Sequence, residues 1–397
     1  MELQAVDGAD ARDVMRALRA AIHGAGPALG LGMVDPAARD VPAGTAVVVT
    51  TSGSTGIPKS VVLSRSALIA GALATAARIG EGSWLLALPA SYVAGLQVLV
   101  RAIVSDREPA LLSGAFTPQA FAAASLMMTS TRHGERVPTF TSLVPAQLQK
   151  LLDAAEHDTV VASALRSYEA ILVGGQALPA AVLERAQSAG ARIVRTYGST
   201  ETSGGCVYDG RPLDGVSLRI VDGEVQITGP TLADGYLDDP ERTAATFPVD
   251  DDGTRWYRTG DAGVLSDGVL QVRGRLDNVI VSGGINVSLD RVEQIVRGIP
   301  GFAGAVVVGV PDERWGEASV IVCPRGDVLR RSDADHLVSA RDAVAAEIGA
   351  HARPARLVLV DELSTLPSGK PDREAIRRAV ADDAPPPGEA PGRRGLN

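Results

Sequence analysis

Val47-Val48-Val49-Thr50-Thr51-Ser52-Gly53-Ser54-Thr55-Gly56-Ile57-Pro58-Lys59-Ser60 sets an apolar run directly against a polar, glycine-rich one. The run over 46–49 reads as a buried strand. The residues after it are small, hydroxylated and flexible, so backbone N–H groups and hydroxyls can converge on phosphate oxygens. Outward from this stretch, strands alternate with helices. Strand-like runs fall at 84–88, 139–143, 170–173 and 191–196, and helical patterns at 10–23, 145–155 and 179–189. That alternation predicts βαβ units and a largely parallel sheet, an α/β domain. Past residue 200, short strands with turn signals take over at 217–221, 224–228, 263–265 and 269–272, and Ser266-Asp267-Gly268 makes the last two a hairpin. Beyond 276, helices are expected over 289–297 and 333–348 and strands over 305–310, 318–322 and 356–360, enough for a smaller α+β domain. The expected division is an N-terminal domain over 1–275, a C-terminal domain over 276–380 and a Pro-rich disordered tail over 381–397.

Composition narrows the function classes. The 397 residues are 45% hydrophobic and 21% charged, which excludes wholesale disorder and a fibrous repeat. A formal net charge of −9 gives no long-range attraction to nucleic acid or to an anionic membrane, so neither is expected as a partner. Two cysteines, Cys206 and Cys323, make no disulfide framework. The longest apolar candidate, over 93–104, is broken by Gln97 and Arg101, so stable membrane insertion is not expected. The N-terminus lacks the basic start and apolar run of a signal peptide, and a cytoplasmic protein is the expectation, with a homodimer left open. None of the five histidines makes a metal-ligand spacing with another. Only three lysines stand against 35 arginines, and two of them, Lys59 and Lys370, fall in Gly/Pro loops, where a compact point charge suits a phosphate.

Five segments hold candidate chemistry. The first is 51–60. It differs from the P-loop G-x-x-x-x-G-K-[ST] because Pro58, with no N–H, stands where glycine must precede the lysine. The second, Thr196-Tyr197-Gly198-Ser199-Thr200-Glu201-Thr202, follows a strand, and its carboxylate could give Mg²⁺ one hard oxygen ligand while nucleotide phosphates supply others. The third is Tyr257-Arg258-Thr259-Gly260-Asp261, whose aspartate could accept from ribose hydroxyls or simply form a turn. The fourth is Arg273-Gly274-Arg275-Leu276-Asp277-Asn278, at the domain boundary. The fifth is Leu366-Pro367-Ser368-Gly369-Lys370-Pro371.

In order and spacing these five segments resemble the AMP-binding, acyl-adenylate-forming superfamily over about residues 44–375. That resemblance implies a large N-terminal and a small C-terminal domain joined by a hinge, with ATP, Mg²⁺ and CoA as cofactor and co-substrates and a small carboxylic acid as substrate. By motif, Thr51, Ser52, Gly53, Ser54, Thr55, Gly56 and Lys59 would form the loop over the ATP phosphates. Gly174-Gly175-Gln176 and Tyr197-Gly198 would border adenine, Thr200 would contact the AMP phosphate, and Glu201 would hold Mg²⁺. Asp261 and Arg275 would bind ribose, Asp277 would be the hinge, Lys370 the adenylation lysine, and Ser282-Gly283-Gly284 would line the CoA tunnel. No side-chain nucleophile is needed, in keeping with the lack of a Ser–His or Cys–His arrangement.

Within the superfamily, the segments 88–97, 141–148 and 204–210 resemble the 2-succinylbenzoate–CoA ligases of menaquinone biosynthesis. A substrate of that kind carries a second carboxylate. Gln97, Arg101 and Ser142 are the candidates to meet it, with Tyr92 and Ser199 beside them, although Gln97 and Arg101 at i and i+4 could equally be one helix face. Three departures stand out: Ser60 follows the loop lysine instead of glycine, Ile285 replaces an acidic residue after Gly284, and Ser91-Tyr92 stand where a histidine is usual. The competing expectations are an AMP-forming CoA ligase for another aryl or fatty acid, and a nucleotide-binding protein without catalysis.

Overall fold

Alternation of buried side chains on both faces is what builds the centre of the N-terminal half. In the computed structural model, Trp84 and Leu86 face one core and Leu85 and Ala87 the other; Ala170 and Leu172 divide from Ile171 and Val173 in the same way. A strand buried on both faces must have helices on both sides, and this sheet does. The structure describes residues 1–32, 40–52, 58–112, 114–128, 131–132, 134–325, 333–366 and 370–382. The chain divides into two units, Met1–Arg273 and Gly274–Asn397.

The first unit holds three principal sheets. The seven-stranded one runs Arg211–Pro212, Gly204–Tyr208, Ile193–Ser199, Ala170–Val173, Thr139–Leu143, Ser83–Leu86, Ala110–Leu111. Its pairings from Ile193–Ser199 onward are parallel, and the first two are antiparallel. One face is covered by Pro118–Leu126, Pro145–Ala155, Thr159–Ser167 and Ala180–Ser188; the core on the other face includes Ala11–Ile22, Arg65–Ile79 and Val93–Val104. A five-stranded mixed sheet runs Leu3–Ala5, Ala28–Leu31, Thr45–Ser52, Pro58–Ser64, Gly235–Tyr236. An antiparallel sheet of Ser217–Val221, Glu224–Thr228, Tyr257–Ser266 and Val269–Arg275, the last two residues of which belong to the second unit, carries the expected hairpin at 266–268. Helix Ala11–Ile22 begins where the Asp10 carboxylate accepts from the N–H groups of Arg12 and Asp13, and His23 closes it.

The second unit is a sheet of Ile285–Ser288, Val279–Ser282, Gly316–Pro324 and Val306–Asp312, with Arg356–Val360 parallel to Gly316–Pro324. Helices Leu289–Arg297 and Asp333–Glu347 pack on one apolar core and Arg373–Asp382 on another. Helix Arg373–Asp382 ends inside the expected tail, so its last two residues correct that expectation; the tail from 383 lies outside the described residues.

Two sequence expectations are displaced here. The strand over 46–49 extends to Thr45–Ser52, and Lys59 sits not in a loop but on Pro58–Ser64, opposite Thr51. Proline is tolerated there because it opens the strand, where no ladder bond from its nitrogen is needed.

Candidate active site

Glu201 lies at the junction of the two larger sheets of the first unit. Strand Ile193–Ser199 ends in a single turn, Thr200–Thr202, and the chain returns antiparallel as Gly204–Tyr208. The return is tight. A Cβ at Gly198 would lie 2.1 Å from the Gly204 carbonyl oxygen, so only glycine fits. Thr202 Oγ1 fastens the turn, accepting from Ser199 N–H at 2.8 Å and donating to the Gly204 carbonyl at 2.7 Å. Glu201 is left 3% exposed. Its Oε1 accepts from Lys59 Nζ and, at 2.9 Å, from the Tyr236 hydroxyl. Burial alone would push the carboxyl pKa up, but the Lys59 ammonium and these hydrogen bonds outweigh it and hold the group below the usual carboxylate range. The turn therefore presents an ionised carboxylate in a buried setting, with a cation beside it.

Next to it, the Tyr197 hydroxyl donates to Asp261 Oδ2 at 2.6 Å. Burial and then the Asp261 charge push the Tyr197 phenol pKa up, so it stays a donor. Asp261 is fixed by its own strand: its N–H donates to Thr259 Oγ1 at 3.0 Å, and the Gly260 N–H donates to the buried Glu224 at 2.9 Å. Ser199 Oγ reaches the Tyr257 hydroxyl at 3.3 Å. Gly174 follows strand Ala170–Val173 and lies against Thr196, where a Cβ would meet Oγ1 at 2.2 Å; Gly175 takes φ +81° and Gln176 is half-buried. The structure thus gathers Lys59, Gly174, Tyr197, Gly198, Ser199, Thr200, Glu201 and Asp261 around the ends of neighbouring strands. Thr51 stands opposite Lys59. Gly53, Ser54, Thr55, Gly56 and the Ser52 side chain lie outside the described residues.

The acid-binding candidates are partly brought together. Gln97 and Arg101 are both buried on helix Val93–Val104, and both face strand Gly204–Tyr208. A Cβ at Gly204 would be 3.0 Å from Gln97 Cγ, and Arg101 Nη2 donates to the Tyr208 hydroxyl at 3.3 Å. The Arg101 guanidinium lies 4.8 Å over the Trp84 ring, and its Nε has no hydrogen-bond partner among the described residues. A cavity of about 50 Å³ lies beside it, lined by Thr75, Glu81, Trp84 and Ser105 among others. Burial pushes the Arg101 pKa down, and no ion pair joins it to a carboxylate among the described residues, although Glu81 lines the same cavity. Gln97 Oε1, Ser203 Oγ and Thr231 Oγ1 are also buried without hydrogen-bond partners among the described residues. Ser142 is buried on strand Thr139–Leu143, but no hydrogen bond joins it to Gln97 or Arg101 among the described residues. Tyr92 caps the N-terminus of helix Val93–Val104 and is half-buried.

In the second unit, Arg275 makes a two-pronged ion pair with Asp277, Nε to Oδ1 and Nη2 to Oδ2, both at 2.9 Å. Asp290 accepts from the Arg275 N–H and from Asn278 Nδ2, each at 2.7 Å, which anchors this segment on helix Leu289–Arg297. Ser282 is buried, and Gly283 and Gly284 turn the hairpin with φ +59° and +81°. Lys370 is exposed, and its carbonyl accepts from the Leu366 N–H at 2.8 Å. Tyr236 and Thr231 escape the sequence reading; Tyr208 lies in the 204–210 segment and Trp84 opens the 84–88 run, but neither is given a role at the site by the sequence.

A mixed, helix-covered sheet with an ionised glutamate at a strand-end turn, followed by a separate α+β unit, places the chain in the AMP-binding enzyme family. Residues 7–237 match the family model of the AMP-binding enzymes, and residues 291–370 match that of the AMP-binding enzyme C-terminal domain. Among its relatives is a Mycobacterium tuberculosis protein named probable 2-succinylbenzoate–CoA ligase, 40% identical over 346 residues, 85% of either chain. The 2-succinylbenzoate–CoA ligase of Escherichia coli is 31% identical over 68% of this chain and 57% of its own. Among solved structures, o-succinylbenzoate CoA synthetase from Bacillus subtilis, in complex with its acyl-adenylate intermediate, superposes with a TM-score of 0.68 at 26% identity, over 84% of this chain and 69% of that one. No described helix is long and apolar enough to cross a membrane.

Proposed function

We propose that the protein is an AMP-forming ligase that activates 2-succinylbenzoate as its acyl adenylate and passes the acyl group to CoA, a step of menaquinone biosynthesis. The observation that carries the adenylating half is the Glu201 carboxylate, 3% exposed and held ionised between Lys59 and Tyr236. The relatives' names and the buried Arg101, which makes no ion pair with a carboxylate among the described residues, favour a substrate with a second negative charge.

In the first half-reaction a carboxylate oxygen of the acid attacks the α-phosphorus of ATP, the bond to the bridging oxygen breaks, and pyrophosphate leaves. Two anions must meet, so the chain has to neutralise charge. Lys59 and the 51–56 segment take the β- and γ-phosphates, Thr200 the α-phosphate, Gly174, Gly175, Gln176, Tyr197 and Gly198 the adenine side, and Asp261 and Arg275 the ribose. Lys370 donates to the oxygens on which charge develops. Lys59 and Tyr236 both donate to Oε1 of the ionised Glu201 carboxylate. That carboxylate suits Mg²⁺, which takes one protein oxygen and fills its shell from phosphates and water; bound there, it would offset the charge of departing pyrophosphate. In the second half-reaction the CoA thiolate attacks the acyl carbon and the bond to AMP breaks, with Ser282, Gly283 and Gly284 lining the thiol's path.

The reading is tested by pyrophosphate release from Mg·ATP with a panel of acids, CoA withheld. Release with 2-succinylbenzoate and not with benzoate or fatty acids supports it; release with another acid discards the substrate; no release with any acid discards the enzyme. A further expected outcome concerns Asp277, proposed as the hinge. Asp277→Pro fixes φ and removes the N–H, and thioester formation should fall at least about tenfold more than pyrophosphate release, as expected when a conformational step limits only one half-reaction. Equal rates in variant and wild type would refute the hinge.

A further inference from the structure

Glu201 is gripped at both ends by one short segment that lies outside the five singled out in the sequence. Strand Gly235–Tyr236 pairs antiparallel with Pro58–Ser64, setting Tyr236 against Val61 and Gly235 against Val62. Just before it, the Ala233 N–H donates to the Glu201 carbonyl oxygen at 2.8 Å and the Asp234 N–H to the Val62 carbonyl at 2.9 Å. Just after it, the Leu237 N–H donates to the Ser60 carbonyl at 2.8 Å. The segment is itself braced: Arg255 donates to the carbonyls of Ala233 and Asp234 at 2.7 and 2.9 Å, and the Tyr236 N–H donates to Thr243 Oγ1 at 2.9 Å. From this frame the Tyr236 hydroxyl reaches Glu201 Oε1 at 2.9 Å.

The ring needs no hydroxyl to stay where it is. It is 8% exposed, packs 6.0 Å from Phe247, and has Lys59 Nζ at 5.4 Å and the Arg242 guanidinium at 5.7 Å from its centroid. The hydroxyl, which also interacts with the Thr246 side chain, adds what ring packing does not: it orients the carboxylate. Lys59 shares Oε1, but it sits on a flexible stem that the proposed function assigns to phosphate, whereas Tyr236 has two torsions, both fixed by packing. A carboxylate that is to act as a single hard ligand must be held by a group that does not leave when nucleotide enters.

We propose that Tyr236 is a positioning residue for the adenylation reaction, holding the Glu201 carboxylate in the orientation that receives the divalent cation of ATP. This rests on the function proposed above. The test uses the full chain with a non-hydrolysable ATP analogue and Mn²⁺, followed by electron paramagnetic resonance, and separately the metal-free binding of the same analogue. Tyr236→Phe removes one O–H and keeps the ring. It should weaken Mn²⁺ binding in the ternary complex by about 10- to 100-fold, the usual effect of losing a partner that orients a metal ligand. Metal-free analogue affinity should stay within about twofold, and the melting temperature should stay near wild type. Unchanged Mn²⁺ affinity, or equal losses in metal-free and metal-dependent binding, would overturn the proposal, since a merely structural tyrosine gives one or the other. Glu201→Gln separates the two levels. If it abolishes Mn²⁺ binding while Tyr236→Phe does nothing, the positioning role fails and the function stands. If Glu201→Gln binds Mn²⁺ as wild type does, the assignment of Glu201 itself fails.

Discussion

Lys370→Ala is expected to cut pyrophosphate release from ATP and 2-succinylbenzoate by about 100- to 1,000-fold, the range found when a donor to developing transition-state charge is removed. The physical reason is confined to one half-reaction. When the acid carboxylate meets the α-phosphate, negative charge accumulates on oxygens that water no longer solvates, and a compact ammonium lowers that barrier as a planar guanidinium on a longer fork would not. When CoA attacks, the carbonyl carbon is already activated and the leaving group is AMP, so the same lysine has little left to do. Preformed 2-succinylbenzoyl adenylate should accordingly yield thioester at close to the wild-type rate. Lys370→Arg should recover little, because charge alone is not the requirement. Stopped-flow measurement of each half-reaction checks this, and equal losses in both would remove Lys370 from the role assigned to it. The residue is exposed, so the substitution carries little stability cost of its own.

The second large effect concerns Arg101. Its guanidinium is buried, donates to the Tyr208 hydroxyl at 3.3 Å and, among the described residues, leaves Nε without a hydrogen-bond partner. Stacking on Trp84 at 4.8 Å offsets only part of the desolvation. A buried charge in that condition weakens the fold unless an anion joins it. Arg101→Met keeps much of the apolar volume. It should lower kcat/KM for 2-succinylbenzoate by about 100-fold, as expected when one partner of a buried charge pair is truncated, and leave activity with a monocarboxylic analogue little changed. The free protein should be as stable as wild type, or more stable by about 1–4 kcal/mol. A structural arginine predicts the reverse: lowered melting temperature and equal losses on both acids. Those two readouts, thermal unfolding and the ratio of the two acids, decide between a substrate partner and a core arginine.

Much of the architecture was legible along the chain because its signals are local. Strands Thr139–Leu143 and Ala170–Val173 and helix Leu289–Arg297 fall where their apolar runs and periods put them. Helix Ala11–Ile22 is announced by Asp10, whose carboxylate does cap it. Strand Pro58–Ser64 was not legible: Gly56-Ile57-Pro58-Lys59 reads as a turn, and only pairing with Thr45–Ser52 makes it a strand. Helix Arg65–Ile79 is rich in alanine and lacks a sharp apolar stripe, so periodicity alone gives it no boundary. Glu201 could be singled out from its motif, but what holds it could not. Lys59 lies 142 residues away and Tyr236 follows 35 residues later, and nothing in Asp234-Gly235-Tyr236-Leu237 marks a donor to a carboxylate. The partnering of Arg101 with Tyr208 is likewise remote, and with Trp84 it joins a helix to two different strands. Local chemistry sets the motifs; only the closed sheets set what surrounds them.

The central claim is an AMP-forming transfer of a dicarboxylate to CoA, and product analysis tests it most directly. The protein is incubated with ATP, Mg²⁺, CoA and 2-succinylbenzoate, and the products are separated by liquid chromatography and identified by mass spectrometry. The account predicts 2-succinylbenzoyl-CoA and AMP in equal amounts, with pyrophosphate and no ADP. ADP with phosphate, or AMP without the thioester, would contradict it.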